Sequence, residues 1–281
     1  MTVFKNEVYK SFRSRSFQLS LGISMLIVCW HLFDLSGLMT RLYLEAQPGR
    51  FTGRYNLFYW WIAIDSVTVQ YTLLYHLFPL LASMPFAWSL AHELKTGYAN
   101  QMILRYGSVD YFVSKYFALL LSGGAVVAIP LTIDLFSAAM FSPAILPDVS
   151  FAMPGFQEGN FLSAVYYQNP WLFCYAFLFL DFIWGGTIAG LSILFTALWR
   201  SEILATVLPT VLVYIEDILS VFITITVYEK TGSFYEFSIL HLFHAWTANL
   251  NPAWLQISII SLLNALSFSA ALLMSRQGDQ L

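Results

Sequence analysis

Six long apolar stretches restrict this 281-residue chain to one class of fold, a helical membrane protein. They lie at about residues 17–36, 68–91, 116–141, 171–199, 203–228 and 253–275. A helix needs roughly 20 mainly apolar residues to cross the hydrocarbon core of a bilayer, and each stretch meets that length. Only 10% of the residues are charged, whereas a soluble domain has about 25%. The sequence therefore predicts an all-α polytopic membrane protein, with residues 1–281 forming a single transmembrane domain of six helices.

Proline and aromatic residues predict the character of several segments. Pro79 and Pro85 lie inside the second span and are expected to kink it, because proline has no backbone N–H to donate. Residues 55–62, Tyr-Asn-Leu-Phe-Tyr-Trp-Trp-Ile, are typical of an aromatic belt at a membrane interface. Residues 142–170 contain four prolines and no Lys or Arg, which predicts an irregular cap. Residues 229–252 carry apolar side chains at helical spacing, as in a helix that lies on the membrane or dips into it.

The basic residues divide unequally between the two sides of the predicted helices. Nine share a side with the amino terminus and four lie on the other side. The first group is Lys5, Lys10, Arg13, Arg15, Lys95, Arg105, Lys115, Arg200 and Arg276, and the second is Arg41, Arg50, Arg54 and Lys230. Cytoplasmic segments carry the excess of Lys and Arg in membrane proteins. Both termini and the loop over residues 92–116 are therefore expected in the cytoplasm of a multi-pass cell-membrane protein.

The first sixteen residues have a helical pattern of their own. Phe4, Val8 and Phe12 recur every four positions, with basic residues between them. Such an apolar stripe beside cations is typical of an interfacial helix on the anionic lipids of the bilayer. The alternative is a basic leader that only fixes the topology.

The loop over residues 92–116 is long for a connection between two membrane helices. Its pattern predicts two short helical pieces broken near Gly107, with Leu94, Tyr98, Met102 and Arg105 on one face of the first piece. An amphipathic surface with both signs of charge suits the docking of a cytoplasmic protein. The alternative is a solvated loop whose charges contact only lipid headgroups.

Four short motifs in this loop resemble the cytoplasmic loop of type-2 ABC exporter permeases. They are Glu93-Leu-Lys-Thr-Gly97, Ile103-Leu-Arg105, Ser108 to Tyr111, and Ser114-Lys115. In that family the loop forms a coupling helix that docks on a separate ATPase, and the basic amino-terminal helix resembles the family's elbow helix. The resemblance implies that Glu93 and Arg105 make polar contacts with the ATPase. It implies apolar contacts for Tyr98, Met102 and Tyr106.

The resemblance also implies how the protein would work. The chain has no Gly-x-x-x-x-Gly-Lys-Ser/Thr motif, so ATP and Mg²⁺ are expected on an ABC ATPase subunit and no cofactor on this chain. A second permease copy, or a related permease, is expected to pair with it. The function expected from the resemblance is ATP-driven export of an amphipathic substrate such as a peptide, an antibiotic or a lipid. An antimicrobial peptide is favoured among these, because unpaired acids in the membrane suit a cationic molecule.

Three acidic residues lie near the middle of predicted spans, where ionisable groups are costly and are functional candidates. They are Asp181 in the fourth span and Glu216 and Asp217 in the fifth. They are expected either to form hydrogen bonds inside the bundle or to line a substrate pathway. Neighbouring residues on a helix point about 100° apart, so only one of Glu216 and Asp217 is expected on a pathway. Asp134 lies nearer the outer end of its span, where it is expected to reach water.

Other chemistries have weaker support in the sequence. His241 and His244 lie three residues apart near Glu236, but two firm ligands are too few, so no metal site is expected. No nucleophile and base form a convincing pair, and no basic run suits nucleic acid. Catalytic residues are therefore not expected. Two alternatives remain open: a membrane enzyme acting on lipid or peptide, and a peptide-binding sensor or immunity protein.

Overall fold

The structure, a computed structural model, describes residues 2–45, 56–65, 67–147, 162–232, 235, 237–242 and 253–278. Over these ranges the chain forms helices and no strand. The helices are α1 Thr2–Arg13, α2 Arg15–Glu45, α3 Leu57–Trp60, α4 Val69–Ser83, α5 Ala87–Lys95, α6 Tyr98–Tyr106, α7 Ser108–Ala138, α8 Ser163–Gln168, α9 Pro170–Trp199, α10 Glu202–Thr231, α11 Ile239–Leu242 and α12 Ala253–Gly278.

Six helical stretches within the described ranges are long and apolar enough to cross a membrane. They correspond to α2, α4 with α5, α7, α9, α10 and α12. The predicted multi-pass architecture is therefore confirmed at the level of helix number and type. The third stretch begins at Ser108 rather than at residue 116, so part of the predicted loop continues directly into it.

The second stretch is interrupted at Pro85, one of the two prolines that were expected to kink it, whereas Pro79 lies inside α4. Helix α4 ends at Ser83, residues 84–86 form a turn, and α5 begins at Ala87. The polar groups at this break have partners on other helices. The Ser83 hydroxyl donates to the Thr206 carbonyl at 2.8 Å, and the Ser14 hydroxyl donates to the Pro85 carbonyl at 2.9 Å. Such contacts are the usual way in which a proline is tolerated inside a membrane helix.

Helices α7 and α9 form the centre of the bundle, and small residues bring their backbones together. The Gly-x-x-x-Gly pattern at Gly186 and Gly190 predicts a close approach by another helix. A Cβ added at Gly186 would lie 2.7 Å from the Leu120 carbonyl oxygen on α7, and one at Gly123 would lie 2.4 Å from the Ala189 Cβ on α9. Side chains at these glycines would push the two helices apart, so the packing role is confirmed.

The outer helices expose most of their apolar surface. Only 17% of the apolar window of α10 is buried inside the chain, against 72% for α9. Helix α2 and helix α12 are also largely exposed, at 28% and 22% buried. These faces are suited to lipid or to another membrane protein.

The aromatic stretch over residues 55–62 is not an interfacial belt, contrary to the sequence-based expectation. From residue 57 onward its side chains are buried in the main core, including Trp61 and Ile62, except for the half-buried Trp60. The Trp61 indole donates to the Leu131 carbonyl at 3.1 Å, and the Ile62 amide donates to the Asp134 carboxylate at 2.9 Å. The segment can enter the core because α7 supplies acceptors for its N–H groups.

Candidate functional site

A buried ion cluster lies at the end of the bundle that contains α1. Its four members are Glu7 and Lys10 of α1, Glu93 of α5 and Lys115 of α7. The Lys115 Nζ lies 2.7 Å from Glu7 Oε2 and 2.9 Å from Glu93 Oε1. The Lys10 Nζ lies 2.8 Å from Glu7 Oε1 and 3.6 Å from Glu93 Oε1. Two ammonium groups therefore face two carboxylates, and the charges of the cluster balance.

Neutral side chains complete the hydrogen bonds of the cluster. Lys115 donates to the Ser89 hydroxyl at 2.8 Å, and the Tyr111 hydroxyl donates to Glu93. The Lys115 ammonium also lies 4.4 Å from the centre of the Phe86 ring. Buried ions are stable only when partners and hydrogen bonds replace the lost water, and this cluster supplies both.

Lys10 extends the cluster to α6. Its ammonium donates to the Tyr98 hydroxyl at 3.1 Å and lies 4.5 Å from the centre of the Tyr98 ring. Burial alone would lower the pKa of Lys10, but the hydrogen bond that Lys10 donates to Glu7 and the negative charges of Glu93 and Glu7 raise the pKa above its ordinary value. Lys10 is therefore charged at neutral pH and connects α1 to both α5 and α6.

Helix α6 lies between two glycines that have positive φ angles. Gly97 has φ +74° and Gly107 has φ +91°, values that side chains with a Cβ rarely adopt. The predicted break near Gly107 is confirmed, and the turn at Gly97 separates α6 from α5. These two turns isolate α6 as a nine-residue helix outside the six apolar stretches.

The structure separates the five predicted docking residues into two groups. Glu93 and Met102 are buried, and Glu93 already contacts the lysines of the ion cluster. Tyr98 and Tyr106 are half-buried, and Arg105 is exposed with its guanidinium 5.4 Å from the centre of the Tyr106 ring. Their role in docking stays a prediction.

A further exposed residue on α6 was missed by the sequence analysis. The Leu104 side chain is 88% exposed, although leucine is ordinarily assigned to an apolar core. Gln101 lies three positions before Leu104 and four before Arg105, so the three residues lie on one side of α6. We call Gln101, Leu104 and Arg105 the α6 face.

Helix α1 is helical as predicted, but its buried side is not the apolar stripe. Val3, Glu7 and Ser11 are buried, whereas Phe4 and Phe12 are 41% and 37% exposed. The exposed phenylalanines are free to contact lipid, while Glu7 enters the ion cluster. The pairing of Glu7 with Lys115 escaped the sequence analysis because it joins residues 108 positions apart.

Asp181, the first of the predicted pathway acids, is buried between α9 and α4. It accepts a hydrogen bond from the Tyr75 hydroxyl at 3.3 Å. Its Oδ1 atom has no hydrogen-bond partner within the part of the chain that the structure describes. Among the described residues neither Thr187 nor Thr210 bonds to it. The Thr187 hydroxyl donates to the Ile183 carbonyl at 2.8 Å and accepts from the Asn264 amide at 2.8 Å.

Glu216 and Asp217 hold the segment that follows α10. The Ile239 amide donates to Glu216 at 2.8 Å, and the Ser238 hydroxyl donates to Asp217 at 2.6 Å. An α-helix rises about 1.5 Å per residue, so these contacts lie roughly 22 Å back from the carboxyl end of α10 at Thr231. The chain therefore folds back along α10 as far as its middle.

The two acids contact one segment although neighbouring residues on a helix point about 100° apart, and the expectation that only one of them lines a pathway stays a prediction. Both carboxylates contact the same segment, because Ser238 and Ile239 are themselves adjacent and present two donors. The rest of the predicted amphipathic helix, including residues 243–250, lies outside the described residues.

A buried histidine with two carboxylates lies at the opposite end of the bundle. The His31 Nδ1 lies 2.7 Å from Asp134 Oδ1, and its Nε2 lies 3.8 Å from Asp65 Oδ2. The expectation that Asp134 reaches water is wrong, since its side chain is fully buried. His31 on α2 and the Ile62 amide supply the partners that make burial possible.

Within the part of the chain that the structure describes, no three or more His, Cys, Asp or Glu side chains are arranged to hold a metal ion. His241 is described, but His244 and Glu236 lie outside the described residues.

Comparison of the chain with protein-family models, with curated proteins and with solved structures gave no match. Functional inference therefore rests on the geometry above and on the sequence pattern.

Proposed function

We propose that this chain is the permease subunit of an ATP-driven exporter and that its α6 face docks on a separate ATPase. The observation that carries the proposal is the buried ion cluster. It joins α6, a short helix outside the membrane stretches, to α1, α5 and α7. A force applied to α6 by a partner would therefore act on two membrane-crossing stretches at once.

The proposed mechanism uses the rigidity of this connection. ATP binding would bring two docked ATPases together and displace the two α6 helices. Lys10 and Glu93 would pass that displacement to α1 and α5, and Lys115 would pass it to α7. The paired membrane helices would then exchange inward-facing and outward-facing states, each stabilised by its own contacts.

The substrate pathway is proposed between two copies of the chain. Helices α2 and α10 have the exposed apolar faces needed for such pairing. An amphipathic substrate suits a pathway that is mainly apolar and approached by the acids of α10. In this proposal the segment at residues 238–242 lies beside the pathway, because it packs on the middle of α10.

Co-purification from native membranes is the direct test. The tagged chain would be extracted in mild detergent, and a soluble protein with a Walker A motif is expected to accompany it in stoichiometric amount. Leu104→Glu and Arg105→Glu should each abolish that association. The first replaces an apolar side chain of the α6 face with a negative charge, and the second reverses the sign of a charge on it. The matched control is Arg276→Glu, which changes an exposed arginine near the end of α12.

The other readings predict different results in the same preparation. Hydrolysis of lipid or peptide by the purified chain alone, unaffected by ATP, would point to a membrane enzyme. Tight binding of a peptide without ATP-dependent loss of peptide from cells would point to a sensor or immunity protein. Either result, with no ATPase recovered, would overturn the proposal.

A further inference from the structure

A cavity of about 570 Å³ opens beside the ion cluster. Its walls come from the end of α1, the start of α2 and the start of α5. Ligand pockets in proteins commonly measure about 300–1,000 Å³, so this space is large enough for a small organic group. Neither the docking of an ATPase nor the proposed pathway uses it.

Two arginines at the cavity lack acidic partners. The Arg13 and Arg15 side chains both line it and are both exposed. Arg13 donates to the Tyr9 hydroxyl, and within the described ranges neither arginine forms an ion pair. A planar guanidinium matches the geometry of phosphate oxygens and can donate two parallel hydrogen bonds to them.

The carboxylate that lines the cavity is already neutralised. Glu93 forms part of the wall, but it accepts from Lys115 and Tyr111. Glu202 lies 3.1 Å from the His92 side chain and does not line the cavity. An anion entering the cavity would therefore meet the free arginines without an unpaired carboxylate to repel it.

A third donor points to the same kind of ligand. Trp88 lines the cavity, and its buried indole N–H has no acceptor among the residues that the structure describes. An indole N–H can only donate, and buried donors normally have a partner. An acceptor supplied by a ligand would satisfy it.

The position of the cavity indicates where such a ligand would come from. Arg15 is the first residue of the first membrane-crossing stretch, so the cavity lies where that helix leaves the bilayer. The adjacent α1 exposes Phe4, Tyr9 and Phe12, which are suited to the acyl boundary of the membrane. Phosphate groups at this level belong to lipid headgroups, and anionic lipids add to the attraction of arginine.

We propose that this cavity binds the phosphate of an anionic phospholipid headgroup. Arg13 and Arg15 donate to the phosphate oxygens, and Trp88 donates one further hydrogen bond. The bound lipid would fix α1 against α5 next to the ion cluster. The site is independent of the exporter proposal, because lipid binding needs no ATPase.

Native mass spectrometry of the full chain would test the site. The protein would be reconstituted with equal amounts of phosphatidylglycerol and phosphatidylcholine, and the lipids retained after release would be counted. We expect one tightly held phosphatidylglycerol on the unmodified chain. The double variant Arg13→Gln, Arg15→Gln should retain at least about tenfold less of it, because two charge-assisted hydrogen-bond donors are lost.

One further variant tests the third donor, and another serves as a control. Trp88→Phe removes one neutral donor and should weaken retention by about threefold to tenfold. Arg276→Gln removes an exposed arginine that does not line the cavity and should change nothing. An unchanged unfolding temperature would show that each variant is folded, as the exposure of both cavity arginines leads us to expect.

Three results would overturn the proposal. The first is equal retention of phosphatidylglycerol by the double variant and by Arg276→Gln. The second is equal retention of the two lipids by the unmodified chain. The third is complete displacement of phosphatidylglycerol by inorganic phosphate at matched concentration, which would assign the site to a free phosphate instead of a lipid.

Discussion

At the scale of single residues, the most consequential side chain is Lys115. It is fully buried and is shared by two carboxylates on two other helices. Burying the ions is costly, but removing one ion costs more, because its partners remain buried without compensation. Lys115 therefore stabilises the junction of α1, α5 and α7 even if the cluster as a whole adds little to the stability of the fold.

Replacement of Lys115 by methionine tests this role. We expect Lys115→Met to cost about 3–5 kcal/mol, the range for breaking a buried ion pair from one side. Thermal unfolding in detergent would measure the loss, with Lys95→Met at an exposed position as the control that should not change. Adding Glu7→Gln to Lys115→Met should cost less than the sum of the two single variants. A fully additive pair would show that Glu7 and Lys115 do not interact.

At the scale of secondary-structure elements, glycine turns and carboxylate contacts determine where the short helices lie. Gly97 and Gly107 allow the chain to turn between α5 and α6 and again between α6 and α7. Glu216 and Asp217 determine the position of the segment after α10, because they accept its hydrogen bonds. In both places a short element is positioned by a few polar contacts rather than by a large buried surface.

Gly107 should resist substitution more than a glycine inside a helix with open space around it. Gly107→Ala places a Cβ at φ +91°, and the strain should cost about 1–3 kcal/mol. Gly37→Ala is the matched control, because Gly37 lies inside α2 and a Cβ there would contact nothing within 4 Å. That control should be neutral or stabilising by up to about 1 kcal/mol. The unfolding temperatures of the two variants would show the difference, and equal values would argue against strain at Gly107.

The contact between Glu216 and Ile239 predicts a local change in hydrogen exchange. Glu216→Leu removes the acceptor, so the amides of residues 239–242 should exchange about tenfold faster or more, as expected for loss of a charged hydrogen bond. Glu216→Gln keeps a carbonyl acceptor at the same place and should have a smaller effect. Exchange measured by mass spectrometry on the full chain would separate the two. Identical rates in both variants would mean that this contact does not hold the segment.

At the scale of the whole molecule, hydropathy was sufficient to predict the six-helix architecture. Each of the six long helices among the described residues can be recognised from its length and its apolar composition. The turns at Pro85 and Gly107 follow from the backbone properties of proline and glycine. The polar interior could not be predicted in the same way. His31 and Asp134 are 103 positions apart, and Lys115 and Glu7 are 108 apart, so no local pattern links them.

The buried aromatic stretch shows a second reason for failure. An aromatic segment of this composition can form an interfacial belt or pack inside the bundle. The acceptors on α7 distinguish these two locations. The Leu131 carbonyl and the Asp134 carboxylate receive the Trp61 and Ile62 donors, and neither acceptor is recognisable before the helices are assembled.

Pairing of two chains is the remaining prediction at this scale. If α10 lines a pathway between two copies, then Ile218, which is 64% exposed on that helix, should lie near its counterpart. A chain with Cys29→Ser and Cys174→Ser would carry Ile218→Cys as its single thiol. In native membranes a short bifunctional thiol reagent should join two such chains.

The matched control places the thiol at Leu262, which is 61% exposed but lies on α12. Lipid-facing residues on α12 should not cross-link, because apolar exposure in a bilayer does not by itself drive helices together. Cross-linking through α10 and not through α12 would support a paired pathway with Glu216 and Asp217 close to it. Equal cross-linking at both positions would indicate random collision, and cross-linking through α12 alone would move the pairing surface, and with it the proposed pathway, away from these acids.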